Sequence, residues 1–196
     1  AHDIEGGILE KQCICEGYAL AYKYYMNRLG VPCKVVGGTS KRAPHAWNQI
    51  EIDGKWYFVD ATWDDIDDMD HTVKHSYFLK SGEAFAKDHI WDTERYEPCT
   101  DTTYDKVAWG NMSRKMSAYK GSLIVPGFFQ NDGALKTGIW KFDAGNLTAP
   151  GELAIEISDQ WQLNENERSV GCAEVSYYEG NLYYTTPKAV WKWDFS

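Results

Sequence analysis

The sequence predicts an α+β fold followed by an all-β region. Three observations carry this. A helical stripe runs over residues 16–29, Asp53-Gly54 gives a hairpin signal, and beyond about residue 104 strand patterns broken by Gly, Asn and Asp are almost all that remains. Two domains are expected, 1–104 and 105–196, the first with a helix on an antiparallel sheet and the second all β.

In the helix, Tyr18, Ala19, Tyr22, Met26 and Leu29 fall on one stripe, with Lys23 and Asn27 off it. Gly30 stands where a C-terminal cap belongs, and Pro32 stops any continuation. Val35-Val36 then reads as a short buried strand ended by Gly37-Gly38.

The runs 46–52 and 55–61 flank Asp53-Gly54, a pair that favours a two-residue loop. With that loop Ile52 faces Lys55, Trp47 faces Asp60 and His45 faces Thr62. Strand side chains alternate, so His45 and Asp60 share a face as diagonal neighbours, about 7–8 Å apart at the backbone. The opposite face holds Ala46, Ile50, Ile52, Tyr57, Val59 and Ala61. Asn48 lies on that face too and is given no catalytic role. Residues 64–75 read as an acidic loop and Tyr77-Phe78-Leu79 as a strand. Ser81 to about Asp88 reads as a short helix, with Ser81 as its cap and Glu83 in its first turn.

The second half contains an internal echo. Residues 119–125 (YKGSLIV) resemble 178–184 (YEGNLYY), and Ile139-Trp140-Lys141-Phe142-Asp143 resembles Val190-Trp191-Lys192-Trp193-Asp194. Each unit reads as two strands around a turn, then a third strand. Repeated hairpins suggest propeller-like blades, but two copies are too few to close a propeller.

The chain has 196 residues, 43% hydrophobic and 25% charged, which is ordinary globular composition. A net charge of −9 argues against a nucleic-acid partner or an anionic membrane surface. No apolar run approaches the ~18 residues of a membrane span. The amino end, Ala1-His2-Asp3-Ile4, shows no signal-peptide pattern. The five cysteines, Cys13, Cys15, Cys33, Cys99 and Cys172, are too few and too odd in number for a disulfide framework. Cys13-Ile14-Cys15 is not a Cys-x-x-Cys pair, which argues against a zinc ribbon or a thioredoxin-type site.

A cysteine at a helix start, a histidine and an orienting carboxylate form the constellation for thiolate chemistry. The helix N-terminus and a nearby imidazole both favour the thiolate, which is the nucleophile. Cys15 heads the 16–29 helix. His45 can take its proton, and Asp60 can hold the imidazole in one tautomer.

The blocks Cys15-Glu16-Gly17-Tyr18-Ala19, His45-Ala46-Trp47-Asn48 and 56–65 (WYFVDATWDD) together resemble the bacterial transglutaminase-like superfamily. Tyr77-Phe78-Leu79 and His89-Ile90-Trp91 are similar to the segments downstream of those blocks in that family. The resemblance covers roughly residues 6–100. It implies a papain-like core, a Cys–His–Asp triad mapped to Cys15, His45 and Asp60, and acyl transfer from amides by cross-linking, deamidation, hydrolysis or deglycosylation. Cys15, rather than Cys13, has the aromatic residue at +3 and the Ala at +4 that the family shows.

Within this reading the Cys15 backbone N–H is the natural oxyanion donor. Gln12 is a second candidate there, and Trp47 a candidate wall of the substrate site. No cofactor is implied. The partner is a protein or peptide substrate, with hydrolysis preferred over cross-linking. Secretion or attachment to a bacterial cell surface is expected from the family. The run Asp64, Asp65, Asp67, Asp68, Asp70 lacks the glycine of a calcium loop. His71 and His75, four apart, find no third ligand, so no metal site is assigned. A rival reading keeps the first half as a scaffold and gives the aromatic β region a glycan or protein to bind, with Trp140 and Trp191 as stacking residues.

Overall fold

The computed structural model describes residues 14–65, 73–112, 114–131, 133–162, 165, 168–170 and 174–194. They fall into two units, one within Ala1–Asp65 and Ser76–Lys106, the other within Ile66–His75 and Val107–Ser196. The architecture is mixed helix and sheet, and every sheet is antiparallel.

The first unit opens with helix α1 (Cys15–Arg28). Its end is sealed by Gly30, at φ +76°, where a side chain would be strained. The Gly30 N–H donates to the Asn27 carbonyl and the Val31 N–H to that of Met26, the double bond of a Schellman cap. Strands β1 (Cys33–Ser40), β2 (Ala43–Ile52), β3 (Lys55–Val59) and β4 (His89–Trp91) form one sheet in the order β3-β2-β1-β4. Two one-turn helices, α2 (Ala61–Asp64) and α3 (Gly82–Phe85), lie in the connections.

The expected hairpin is present. Ile52 pairs with Lys55, and the ladder runs to Asn48 opposite Val59. Asp53 and Gly54 both have positive φ, as a type I′ turn requires. The ladder stops one pair short of Trp47–Asp60, because Asp60 turns away to cap α2.

Alternation then sorts the sheet into two faces. One buries Ile50, Tyr57 and Val59 with Cys33 and Leu79, and Tyr22 and Met26 of α1 pack on them. The other buries Val36, Trp47, Phe58, Phe85 and Cys99, flanked by Trp56 and Trp91.

Four expectations are corrected here. The strand at Val35-Val36 does not end at Gly37-Gly38 but continues to Ser40, because β4 pairs alongside those glycines. Leu29 is not in the core; it is the exposed C-cap of α1. Residues 77–79 form no strand, and only an isolated bridge joins Lys80 to Phe58. The helix after Ser81 ends at Phe85 rather than near Asp88, although Ser81 does cap it by accepting from the Ala84 N–H.

In the second unit, β5 (Ser117–Tyr119), β6 (Ser122–Asn131), β7 (Ala134–Asp143) and β8 (Glu152–Glu156) form a four-stranded sheet. β9 (Gln160–Gln162) pairs with β10 (Arg168–Val170). β11 (Val175–Tyr178), β12 (Asn181–Thr185) and β13 (Val190–Trp193) form a three-stranded sheet. Ile124, Ile139, Ile157, Val175 and Leu182 make the core of this unit. Trp140 is fully buried, which removes it as a stacking residue for a glycan, whereas Trp191 is exposed. His75 is also buried, its Nδ1 bonded to the Met112 carbonyl and its ring against Trp109. His71, Asp67, Asp68 and Asp70 lie outside the described residues.

Candidate active site

Cys15 is the first residue of α1 and is half-buried. Ile14 before it is extended and makes no side-chain cap, so the first-turn N–H groups of α1 receive no side-chain bond from that residue. The helix packs on β1, β2 and α2. Two side-chain bonds hold it. Asn48 Nδ2 donates to the Ala19 carbonyl at 2.9 Å, and the Tyr18 hydroxyl bonds to the Asp65 carboxylate.

His45 and Asp60 stand on the other face of the sheet, in contact. His45 Nε2 lies 2.6 Å from Asp60 Oδ2. The Asp60 carboxylate is fully buried and divides its work. Oδ1 accepts from the backbone N–H groups of Thr62 and Trp63, capping α2, while Oδ2 serves the imidazole. Capping fixes the carboxylate and α2 together, so the plane that meets His45 is set by the backbone.

A second histidine reaches the same oxygen. His89 Nε2 is 3.1 Å from Asp60 Oδ2, and its Nδ1 is 2.6 Å from Asp88 Oδ1. Asp88 Oδ2 in turn accepts from the Tyr77 hydroxyl at 2.6 Å. Burial pushes the Asp60 carboxyl up, but the hydrogen bonds from His45 and His89 more than offset it, and it ends below its ordinary value.

Gly38 admits His89 to the site. In β1 it pairs with His45 on one side and with Trp91 on the other, and all three positions face the same way. A Cβ at Gly38 would overlap the Ile90 carbonyl oxygen and come within 2.7 Å of Trp47 Cη2. Without it β4 closes on β1, and the rings of His45 and His89 stand 5.7 Å apart.

Trp47 is only 1% exposed, which leaves it no face for a substrate. It supports the two histidines instead, with its ring 5.8 Å from His45 and 4.9 Å from His89. Trp63 covers both from another side, at 5.8 and 5.4 Å, and the Lys41 ammonium sits 3.8 Å over the Trp63 ring. Gln12 and Cys13 lie outside the described residues.

The structure thus joins His45 to Asp60 and adds Tyr77, Asp88 and His89, to which the sequence pattern assigns no role. The paired glycines inside a strand were the available signal, since glycine there marks a close backbone approach. Among the described residues no hydrogen bond joins Cys15 to His45. One ligand atom from each of His45, Asp60 and His89 lies within 4.8 Å of the others, a donor set that could hold a metal ion.

Residues 2–61 match the family model of the transglutaminase-like superfamily. That segment of the chain is transglutaminase-like. The transglutaminase-like segment therefore includes Cys15, His45 and Asp60. The chain is also similar to kyphoscoliosis peptidase of Homo sapiens, 27% identical over 128 residues, covering 56% of this chain and 19% of that protein. The Mus musculus protein of the same name is 30% identical over 101 residues, covering 42% and 15%. The chain spans less than a fifth of the length of these relatives. No helix among the described residues is long and apolar enough to cross a membrane.

Proposed function

We propose that this transglutaminase-like chain is a cysteine-dependent enzyme that cleaves or transfers acyl groups from protein or peptide amides. The observation that supports it most is the bond between His45 and Asp60, at the positions where the family resemblance puts a base and its orienting acid. The Asp60 carboxylate is an acceptor, so His45 Nε2 carries the proton between them and Nδ1 is left for proton exchange. In the first step Nδ1 takes the Cys15 thiol proton. The thiolate sulfur attacks the amide carbonyl carbon, and the C=O electron pair moves to oxygen. When that pair returns, the C–N bond breaks and His45 Nδ1–H protonates the departing amine. Water or an amine then displaces sulfur from the thioester, restoring the thiol. The Cys15 backbone N–H, at the head of α1, is the oxyanion donor of this scheme. The name of the matched relatives, a peptidase, supports hydrolysis over cross-linking.

The test is the pH dependence of iodoacetamide labelling at Cys15, with His45→Ala and Cys13→Ser alongside. Labelling that persists well below the free-thiol pKa of ~8.5, and that needs His45 but not Cys13, is expected. Ordinary thiol behaviour, unchanged in His45→Ala, overturns the reading.

A second reading concerns the β-rich unit. Tyr177, Tyr178 and Trp191 are exposed, which favours a glycan or protein surface there. The turns Lys120-Gly121 and Glu179-Gly180 have matching positive φ pairs, 47° and 75° against 44° and 80°, which supports two related hairpin units. Binding to a carbohydrate array that survives Cys15→Ala and is lost in Trp191→Ala is the result this reading requires.

A further inference from the structure

His89 is a buried ionisable group that the acyl-transfer scheme does not use. Its side chain is fully enclosed. Both ring nitrogens nevertheless point at carboxylate oxygens, Nε2 at Asp60 and Nδ1 at Asp88. A neutral imidazole has one N–H and one lone pair, so one of these contacts would set a lone pair against an oxygen lone pair. In a dry site that repulsion is costly.

The neighbouring groups leave little room to relieve it by protonating a carboxylate. Asp60 is held below its ordinary value and accepts four hydrogen bonds, two at each oxygen. The Asp88 oxygen not facing His89 accepts from Tyr77. That phenol keeps its proton, because burial and the Asp88 charge raise its pKa above the ordinary value. Asp60 is therefore an acceptor at both oxygens, and with Asp88 an acceptor toward His89 as it is toward Tyr77, His89 donates twice.

A metal ion among His45, Asp60 and His89 would also remove the clash. However, bonds of about 2.0–2.2 Å to a tetrahedral ion set two donors roughly 3.3 Å or more apart. His45 Nε2 and Asp60 Oδ2 are 2.6 Å apart, a hydrogen-bond separation. Phe85, with its ring 4.1 Å from that of His89, and Trp47, 5.8 Å from His45, pack against the two imidazoles.

We propose that His89 is a positioning residue, an imidazolium clamped between Asp88 and Asp60 that fixes the Asp60 carboxylate and, through it, the Nε2–H tautomer of His45. The chain of groups is Tyr77, Asp88, His89, Asp60, His45, and each link is a hydrogen bond. The proposal rests on the reading of His45 and Asp60 as the catalytic pair. It adds a role: with His89 charged, Asp60 cannot swing toward another donor without leaving a buried cation half-paired. A partly unpaired buried charge is among the most costly arrangements in a fold.

The experiment is nitrogen NMR on the full chain with labelled histidines, near pH 7. His89 is expected to carry protons on both ring nitrogens, and His45 to keep a proton on Nε2, toward Asp60. In His89→Gln the side chain can still donate to one carboxylate, but His45 is expected to populate both tautomers. Iodoacetamide labelling of Cys15 should then slow by roughly tenfold, part of what a positioned proton acceptor contributes. If His89→Gln does not fold, Asp88→Asn serves: His89 should lose one proton while its ring stays in place. A His89 with a single ring proton in the native chain overturns the proposal. So does equimolar zinc that strips the ring protons from His45 and His89, which would make the cluster a metal site. The spectrum of His89 does not involve Cys15, so it stands or falls apart from the labelling test of acyl transfer.

Discussion

Asn48 fastens the helix that bears Cys15 to the strand that bears His45, its amide nitrogen 2.9 Å from the Ala19 carbonyl oxygen. The two residues act from opposite faces of β2. His45 points toward Asp60, and Asn48, three positions on, points back at α1. The same nitrogen also faces the Lys34 carbonyl at 3.3 Å, while Asn48 Oδ1 is buried without a hydrogen-bond partner. Asn48→Leu removes a donor but also an unpaired buried oxygen, and should cost only about 1 kcal/mol. Asn48→Asp puts a buried charge against carbonyl oxygens and should cost about 3–5 kcal/mol, the penalty for an unpaired buried charge. Urea denaturation of both variants checks this, and equal losses would contradict it.

Gly38→Ala should disturb the site without touching any of its polar groups. The added methyl meets the Ile90 carbonyl and the Trp47 ring, so β4 must move away from β1. The strand carries His89, and its displacement lengthens the contact to Asp60. Overpacking of this kind costs typically about 1–3 kcal/mol, and more when backbone is what must shift. Gly54→Ala, where a Cβ meets nothing but φ is +76°, is the control for backbone strain alone. The Gly38 variant should slow Cys15 labelling, and the Gly54 variant should leave it unchanged.

The three cysteines among the described residues should differ sharply toward iodoacetamide. Burial pushes the Cys33 thiol up to about 11 and the Cys99 thiol up to about 12, so neither is a thiolate near neutrality. Each is 7% exposed. Cys15 is the accessible one of the three. Peptide mapping after brief labelling at pH 7 should find the adduct at Cys15 and none at Cys33 or Cys99 until the chain is denatured. Early modification of Cys33 would show that α1 is not seated on β1 and β2 as described.

Asp64 gives the first unit a pH dependence of its own. The carboxyl is buried, and its oxygens face the Tyr77 backbone N–H. Burial raises it from 3.8 to about 7, and the nearby Asp60 charge adds to the rise. Below about pH 4 the group is protonated whether the chain is folded or not, and it costs nothing. Between about 4 and 7 the unfolded chain releases this proton and the folded chain keeps it, so stability falls as pH rises. Above 7 the full penalty applies. Asp64→Asn should therefore gain on the native chain by about 1–3 kcal/mol across that window. A difference between the two that stays constant from pH 4 to pH 8 would refute this.

The sequence by itself determined the hairpin and the face it presents. Asp53-Gly54 permits a two-residue loop, alternation has a period of two, and together they place His45 beside Asp60 with no knowledge of the rest of the chain. The helix and its Gly30 stop were legible for the same reason, since their periodicity and cap are local. The transglutaminase-like relationship was carried by short blocks of residues in order.

What only the tertiary structure decided is the surroundings of that pair. His89 lies 29 positions beyond Asp60, and no local period connects them. It arrives because β4 returns to pair with β1, and because Gly38 leaves room for it. The double duty of Asp60, cap at one oxygen and partner of two imidazoles at the other, likewise needs α2 and β4 in place. Trp47 became core rather than wall because the aromatic rings of β3, α3 and β4 cover it. Each of these is a long-range contact, fixed by how elements pack and not by the pattern of residues within any one of them.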